Sequence, residues 1–340
     1  VSRRSWRELD ESDVRVRPGR RGSRPRSKRR PEHADAAAAM VVGVDRGRYT
    51  CALGGDPDHR VTAMRARELG RKSVVIGDQV GLVGDVSGRP DTLARIVRIA
   101  ERASVLRRTA DDTDPYERVV VANAEQLVIV TSLADPPPRT GFIDRCLVAA
   151  YAGGLSPVLC LTKADLASAD GVRESYADLA FPIVVTRIDA PPEELRERLA
   201  GRVSALVGHS GVGKSTLVNR LVPAAERATA EVSAVGKGRH TSTSAVALPL
   251  PLPDGGWVVD TPGIRSFGLA HVTPDDLVAA FPDLAEGAEG CPPNCGHLGA
   301  PEDPDCALDT WVAEGHATTR RLESLRRLLA SHAGIGDEQE

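Results

Sequence analysis

Gly208-His209-Ser210-Gly211-Val212-Gly213-Lys214-Ser215 is the stretch that decides the fold of this 340-residue chain. It has the form G-x-x-x-x-G-K-S, follows the apolar run Ala205-Leu206-Val207, and opens a segment with Leu217, Val218 and Leu221 at helical spacing. Strand, glycine-rich loop and helix in that order make a phosphate-binding loop. The glycines let backbone N–H groups turn inward on phosphates, and the start of the helix adds a favourable dipole. Lys214 is placed to neutralise the β- and γ-phosphates, and the Ser215 hydroxyl to ligate Mg²⁺. Residues Gly208 through Thr216 therefore form a candidate nucleotide site.

Two further motifs lie on either side. Asp260-Thr261-Pro262-Gly263 ends the apolar run Trp257-Val258-Val259, 52 residues beyond the start of the loop. A carboxylate there can hold Mg²⁺ through water, and Gly263 can offer its N–H to a γ-phosphate. Thr162-Lys163-Ala164-Asp165 follows Val158-Leu159-Cys160-Leu161. The Asp165 carboxylate can accept two hydrogen bonds from guanine N1 and its exocyclic amine, a pair that adenine lacks, while the Lys163 stem covers the base plane. Apolar runs at Val119–Val121, Leu127–Val130, Val158–Leu161, Ile183–Val185, Ala205–Val207 and Trp257–Val259 alternate with helical segments such as Phe142–Tyr151 and Pro192–Leu199. That alternation predicts a mostly parallel α/β sheet with helices on both faces.

Upstream, short strand-like runs at 41–44, 49–53, 61–64, 74–78, 80–84 and 93–99 are separated by Gly, Asp and Pro turns. They predict a small OB-like β-barrel. From Thr273 two helical segments flank a Cys/His cluster, and the chain ends in an acidic tail. The expected organisation is a basic disordered arm at 1–40, a barrel at 41–112, an α/β P-loop domain at 113–272, a helical zinc-binding domain at 273–334, and a tail at 335–340.

Composition narrows the function classes. No run approaches the roughly 18 apolar residues of a membrane span, and no apolar stretch follows the N-terminal charges, so the expectation is a cytoplasmic protein without membrane contact. Only 3% of residues are aromatic, which argues against base stacking on aromatic platforms as the main activity. The net charge of −3 hides an asymmetry: residues 1–30 carry +8, leaving −11 on the other 310. A basic arm on an acidic body points to a polyanion such as RNA, or to a solvated extension.

Cys51, Cys146 and Cys160 are isolated, the last two in apolar segments. Cys291, Cys295, His297 and Cys306 instead fall within 16 residues. Four such ligands suit a tetrahedral structural Zn²⁺ better than disulfides, with Pro292, Pro293 and Gly296 supplying turns.

The motif order is unusual, because Lys163 and Asp165 precede Gly208–Ser215, which precede Asp260–Gly263. In this the chain resembles a circularly permuted GTPase. With the barrel before it, Gly236-Lys237-Gly238-Arg239-His240-Thr241-Ser242-Thr243 between the phosphate motifs, and the Cys/His cluster after, it resembles the ribosome small subunit-dependent GTPase A family over roughly residues 41–330. The resemblance implies a monomeric, Mg²⁺-dependent GTP hydrolase that acts late in small-subunit maturation, touches its rRNA, and is stimulated by that subunit. It implies Thr241 as a further Mg²⁺ ligand, with Thr243 competing. It also points to His240 as the group that orients the attacking water, since Ile264 stands where many GTPases carry Gln; an ordinary loop histidine is the other reading.

The chain departs from the family pattern in places. Thr162 replaces the usual Asn, Thr186-Arg187 lacks the small Ser-Ala pair expected to back the guanine carbonyl, and the gaps between the zinc ligands differ. Two other classes compete with a GTPase: an ATP-dependent P-loop kinase or ATPase with an RNA-binding barrel, and a non-enzymatic zinc-dependent RNA-binding protein. Purine selectivity through Asp165 separates the first, and the phosphate loop argues against the second.

Overall fold

The computed structural model describes residues 33–45, 47–69, 73–108, 118–223, 245–261 and 272–333. The central strands follow from apolar runs that leave no solvent face. In β8 (Gln126–Ser132) every residue is buried, and in β11 (Val203–Val207) all but the first. Side chains alternate across the sheet as a strand requires. Leu127 and Ile129 pack with Phe142, Ile143 and Leu147, whereas Val128 and Val130 pack with Leu195, Leu217, Val218 and Leu221. The first face is covered by α1 (Thr140–Ala152) and the second by α3 (Glu193–Leu199) and α4 (Lys214–Leu221). Helices thus lie on both faces, as the alternation predicts.

Strands β10 (Ile183–Val185), β9 (Ser156–Thr162), β8, β11 and β13 (Trp257–Asp260) lie side by side in that order, and every neighbouring pair is parallel. From β8 the chain moves outward through β9 and β10, then returns to build β11 and β13 on the other side. The order reverses between β8 and β11, and such a switch point opens a crevice at the carboxyl ends of the strands.

The barrel is a five-stranded closed sheet: β1 (Ala37–Asp45), β2 (Arg48–Leu53), β3 (Arg60–Arg65), β5 (Ala94–Ile99) and β4 (Gln79–Gly84), with β4 returning to β1. Its interior holds Ala39, Val41, Cys51, Val61, Leu82 and Ile96. β1 serves two cores, because Met40 and Val42 on its other face join the α1-side cluster. It also pairs with β12 (Val246–Pro249), an antiparallel neighbour of β13. Gly43 is in register with Val246, and Val246 with Asp260, so one cross-strand row links the barrel to the carboxyl end of β13.

Two strand readings are corrected. Residues 74–78 form no strand: Gly77 sits at φ +85°, where a Cβ would meet Ala122 O at 1.8 Å, and Ile76 keeps a single bridge to Val121. The fully buried Asp78 carboxylate turns inward to accept from Val75 N–H at 2.8 Å and from Arg102 Nε at 2.7 Å. Val119–Val121 belong to β7 (Arg118–Ala122), which forms a separate two-stranded sheet with β6 (Val105–Arg108) rather than joining the main sheet. β12 carries too short an apolar run to be read from sequence.

Among the described residues of the C-terminal region, two helices lie on each side of the Cys/His cluster: α5 (Pro274–Val278) and α6 (Pro282–Ala288), then α7 (Ala307–Ala313) and α8 (Thr319–His332). Thr273 begins α5 with a reciprocal cap, its Oγ1 accepting from Asp276 N–H and Asp276 Oδ2 accepting from Thr273 N–H. The buried stripe of α8 (Leu322, Leu325, Leu328, Leu329) packs into the α1-side core. Between α8 and α1, Arg327 Nε meets the Asp144 carboxylate at 3.1 Å, and Tyr176, which follows α2 (Asp170–Ser175), donates its hydroxyl to Asp144 Oδ1 at 2.9 Å. No helix among the described residues is long and apolar enough to cross a membrane.

Candidate functional site

The crevice at the β8/β11 switch point carries the phosphate loop. Its backbone explains its glycines: a Cβ on Gly208 would stand 2.5 Å from Val130 O, and Gly211 and Gly213 adopt φ of +83° and +88°. Gly213 is the N-cap of α4, so the free N–H groups of the first turn face the loop. Val212 is buried and anchors the loop in the α4-side core. His209 packs its ring on Phe142 of α1 with centroids 4.0 Å apart, while Ser210, Ser215 and Thr216 are exposed.

Lys214 Nζ donates to Asp260 Oδ1. Both groups thus sit at the carboxyl ends of adjacent strands, although 46 residues apart in sequence. Thr261 Oγ1 donates to Leu206 O at 2.5 Å and fixes the end of β13 against β11. Gly263, Ile264, His240, Thr241 and Thr243 lie outside the described residues, as do residues 1–32 of the arm expected at 1–40. That expectation is corrected at its end, where Ala37–Met40 belong to β1 and Ala39 and Met40 are buried.

Beside the loop is a cavity of about 380 Å³, in the size range of small-molecule sites. Thr162, Lys163 and Asp165 line it together with Gly213, Thr216 and Leu217 of the phosphate-loop segment and with Thr186, Arg187 and Ile188 after β10. The structure therefore gathers the two nearer motifs and the loop at Thr186-Arg187 around one space. Lys163 takes a left-handed φ of +57°, and its Nζ donates to Asp135 O. Leu166 and Ile188, 59% and 70% exposed, add apolar surface at this cavity, suited to the faces of a planar base.

Thr162 has a specific use. Its buried hydroxyl donates to Val212 O at 2.6 Å, with Thr131 O more distant at 3.3 Å, so it ties the Lys163/Asp165 segment to the phosphate loop. Sequence reasoning missed Asp135 and Pro136, which respectively hold Lys163 and approach Gly211; a Pro-Pro-Pro run separated by three residues from the end of a fully buried strand is the available signal. It missed Arg220 as well, which lines the same cavity and which no motif marks.

The second cluster is remote in sequence. One ligand atom from each of Cys291, Cys295, His297 and Cys306 lies within 4.8 Å of all the others, comparable to the ~3.8 Å sulfur–sulfur edge of a tetrahedral zinc site with 2.3 Å bonds. The cluster can hold one metal ion. Cys295 Sγ accepts from His297 N–H and Cys291 Sγ from Ala307 N–H, both at 3.3 Å, contacts that favour thiolates. His297 Nε2 lies 3.4 Å from Asp275 Oδ1 of α5, the arrangement by which a carboxylate orients a ligating imidazole. Burial pushes the Cys295 thiol up to about 12 and raises Cys306, and a bound cation would act in the opposite direction. Burial likewise pushes Cys51 and Cys160 up to about 12 and raises Cys146, as befits small core hydrophobes.

A family profile described as RsgA GTPase matches residues 99–270. A small ribosomal subunit biogenesis GTPase RsgA of Chlorobaculum parvum is 36% identical over 311 residues, covering 87% of this chain and 98% of that one. The protein of the same name from Paraburkholderia xenovorans is 36% identical over 317 residues, covering 88% and 94%. Among solved structures, YjeQ from Thermotoga maritima superimposes with a TM-score of 0.61 at 27% identity, covering 88% of this chain and 99% of that one. YloQ, described as a circularly permuted GTPase, gives 0.62 at 22% identity with 92% and 99% covered, which supports the fold alone. With the motif order, the closed barrel and the Cys/His cluster already in place, these matches make the chain a member of the RsgA GTPase family.

Proposed function

We propose that this chain hydrolyses GTP to GDP and phosphate and serves the maturation of the small ribosomal subunit in the cytoplasm, with that subunit and its rRNA as partner and activator. The observation that carries the reading is the convergence of Lys163 and Asp165 with the Gly213–Leu217 helix start on one cavity. Relatives at 36% identity over most of both chains carry that biogenesis name, and neither the ATP-dependent alternative nor the non-enzymatic RNA-binding one is favoured.

In this reading Asp165 selects guanine, Lys163 covers the base, and Gly208–Thr216 wrap the phosphates. Lys214, paired with Asp260 in the structure, would turn to the β- and γ-phosphates. Ser215, Asp260 and Thr241 are the residues that would hold Mg²⁺, which would supply charge neutralisation between the β- and γ-phosphates. Gly263 offers its N–H to the γ-phosphate and His240 orients the attacking water. Cys291, Cys295, His297 and Cys306 hold one structural Zn²⁺, and the basic arm contributes contacts to rRNA phosphates. The protein acts as a monomer.

The test is GTP turnover with and without purified small subunits at several salt concentrations. Stimulation by subunits that weakens with salt is expected, because counterion release sets the affinity. His240→Ala should abolish stimulated turnover while leaving nucleotide affinity nearly intact. Equal affinity for ATP and GTP, or turnover indifferent to subunits, would overturn the reading.

A further inference from the structure

Arg220 belongs to the last turn of α4, the helix that starts at the phosphate loop, yet its guanidinium closes on a different loop. Nη1 donates to Arg187 O at 2.7 Å and Nη2 donates to Ala190 O. Its own carbonyl accepts from Arg196 Nη2 of α3 at 2.8 Å. The bracketed residues carry Arg187 and Ile188, which line the cavity beside Asp165, and Ile188 N–H reaches Asp165 Oδ1 at a long 3.5 Å.

This loop needs an external hold. Thr186 anchors its beginning, being buried and donating from N–H to Leu161 O at 2.7 Å. Beyond it Ile188 is exposed, and Arg187 and Asp189 pair with each other at the surface, about half exposed. A planar guanidinium can serve two carbonyls at once with charge-assisted bonds, which a lysine ammonium matches poorly.

We propose that Arg220 is a positioning residue for the purine. By tying residues 187–190 to the helix that begins at the phosphate loop, it sets the spacing between base and phosphate subsites before the nucleotide enters. The inference rests on the guanine-nucleotide reading above.

The experiment uses the full chain and displacement of a fluorescent GDP, with pyrophosphate as the phosphate-only probe and ADP as the selectivity probe. Arg220→Ala should weaken GDP about tenfold, equivalent to about 1.4 kcal/mol, through faster release. It should leave pyrophosphate affinity within about twofold and narrow the preference for GDP over ADP. Arg220→Lys should recover only part of the loss. In an Asp165→Asn background the Arg220→Ala effect should shrink, because the contact it positions is already gone. Unchanged GDP affinity, or equal loss for GDP and pyrophosphate, would overturn the proposal. Should Arg220→Ala unfold at assay temperature, Arg220→Gln carries the same comparison, since one amide can serve only one of the two carbonyls. A wild-type chain that does not prefer GDP to ADP would instead refute the guanine reading and leave the clamp's effect on the phosphate probe to be read alone.

Discussion

Replacing Thr162 by Val is nearly isosteric and removes one hydroxyl. That hydroxyl is buried and has a single proton, which the 2.6 Å distance assigns to Val212 O rather than to Thr131 O at 3.3 Å. Val212 is the residue before the Gly213 N-cap, so its carbonyl orientation helps set which way the loop's N–H groups face. Removing a donor from a buried carbonyl costs about 1–3 kcal/mol. The residue packing is retained in Val, so the lower part of that range applies, about 1–2 kcal/mol. If the cost falls on the phosphate-binding geometry, nucleotide affinity drops about 5- to 30-fold. The loss should be equal for GTP, GDP and any weakly bound ATP, because the bond serves the phosphate loop and not the base. Thr162→Ser keeps the hydroxyl and should remain close to wild type. Titration calorimetry on the three nucleotides, with thermal unfolding alongside, reads both the affinity and any share of the cost taken by global stability. A Thr162→Val protein that keeps full affinity and stability, or that loses guanine preference selectively, would refute the reasoning and return Thr162 to the base.

Asp275→Ala removes the carboxylate beside His297 Nε2 and should weaken metal binding about 10- to 100-fold, measured by competition with a chromophoric chelator; unchanged affinity would remove Asp275 from the account of the site. Arg327→Met leaves Asp144 with the Tyr176 hydroxyl but without its cation. Breaking a buried pair costs about 3–5 kcal/mol; because Arg327 is 37% exposed and its charge screened by water, the expected cost at neutral pH is about 2 kcal/mol. Burial raises the Asp144 carboxyl, with Arg327 and the Tyr176 hydroxyl lowering it only in part. Between the ordinary carboxylate value and the raised one, the folded state holds a proton more readily than the unfolded chain, so this group's contribution is present below the ordinary carboxylate range and lost as pH rises through the raised value. Without Arg327 that loss should steepen, so the destabilisation should shrink on acidification, as read by denaturant unfolding at several pH values; a pH-independent difference would remove Asp144 from the account.

Much of the site was legible because its chemistry is local. Gly208–Ser215 reads as a loop between strand and helix from its glycines and flanking apolar runs, and the structure places it between β11 and α4. Cys291, Cys295, His297 and Cys306 were legible for the same reason, all four lying in one short segment. Residues 74–78 misled because a valine-rich run says nothing of Gly77, whose φ of +85° and close approach to Ala122 end the extension. Val119–Val121 misled because apolar composition does not say which sheet a strand joins.

Sequence alone determined the phosphate loop, the permuted motif order and the alternation behind a doubly wound sheet, because periodicity and motif spacing are properties of neighbouring residues. Tertiary structure alone decided the contacts that make those parts one site. The Thr162 hydroxyl reaches a carbonyl 50 residues away, Arg220 closes on a loop 30 residues upstream, and Gly43 of the barrel falls in one row with Val246 and Asp260. Such contacts depend on strand order and register, which are set by how both faces of the sheet are buried at once, and no local pattern encodes them.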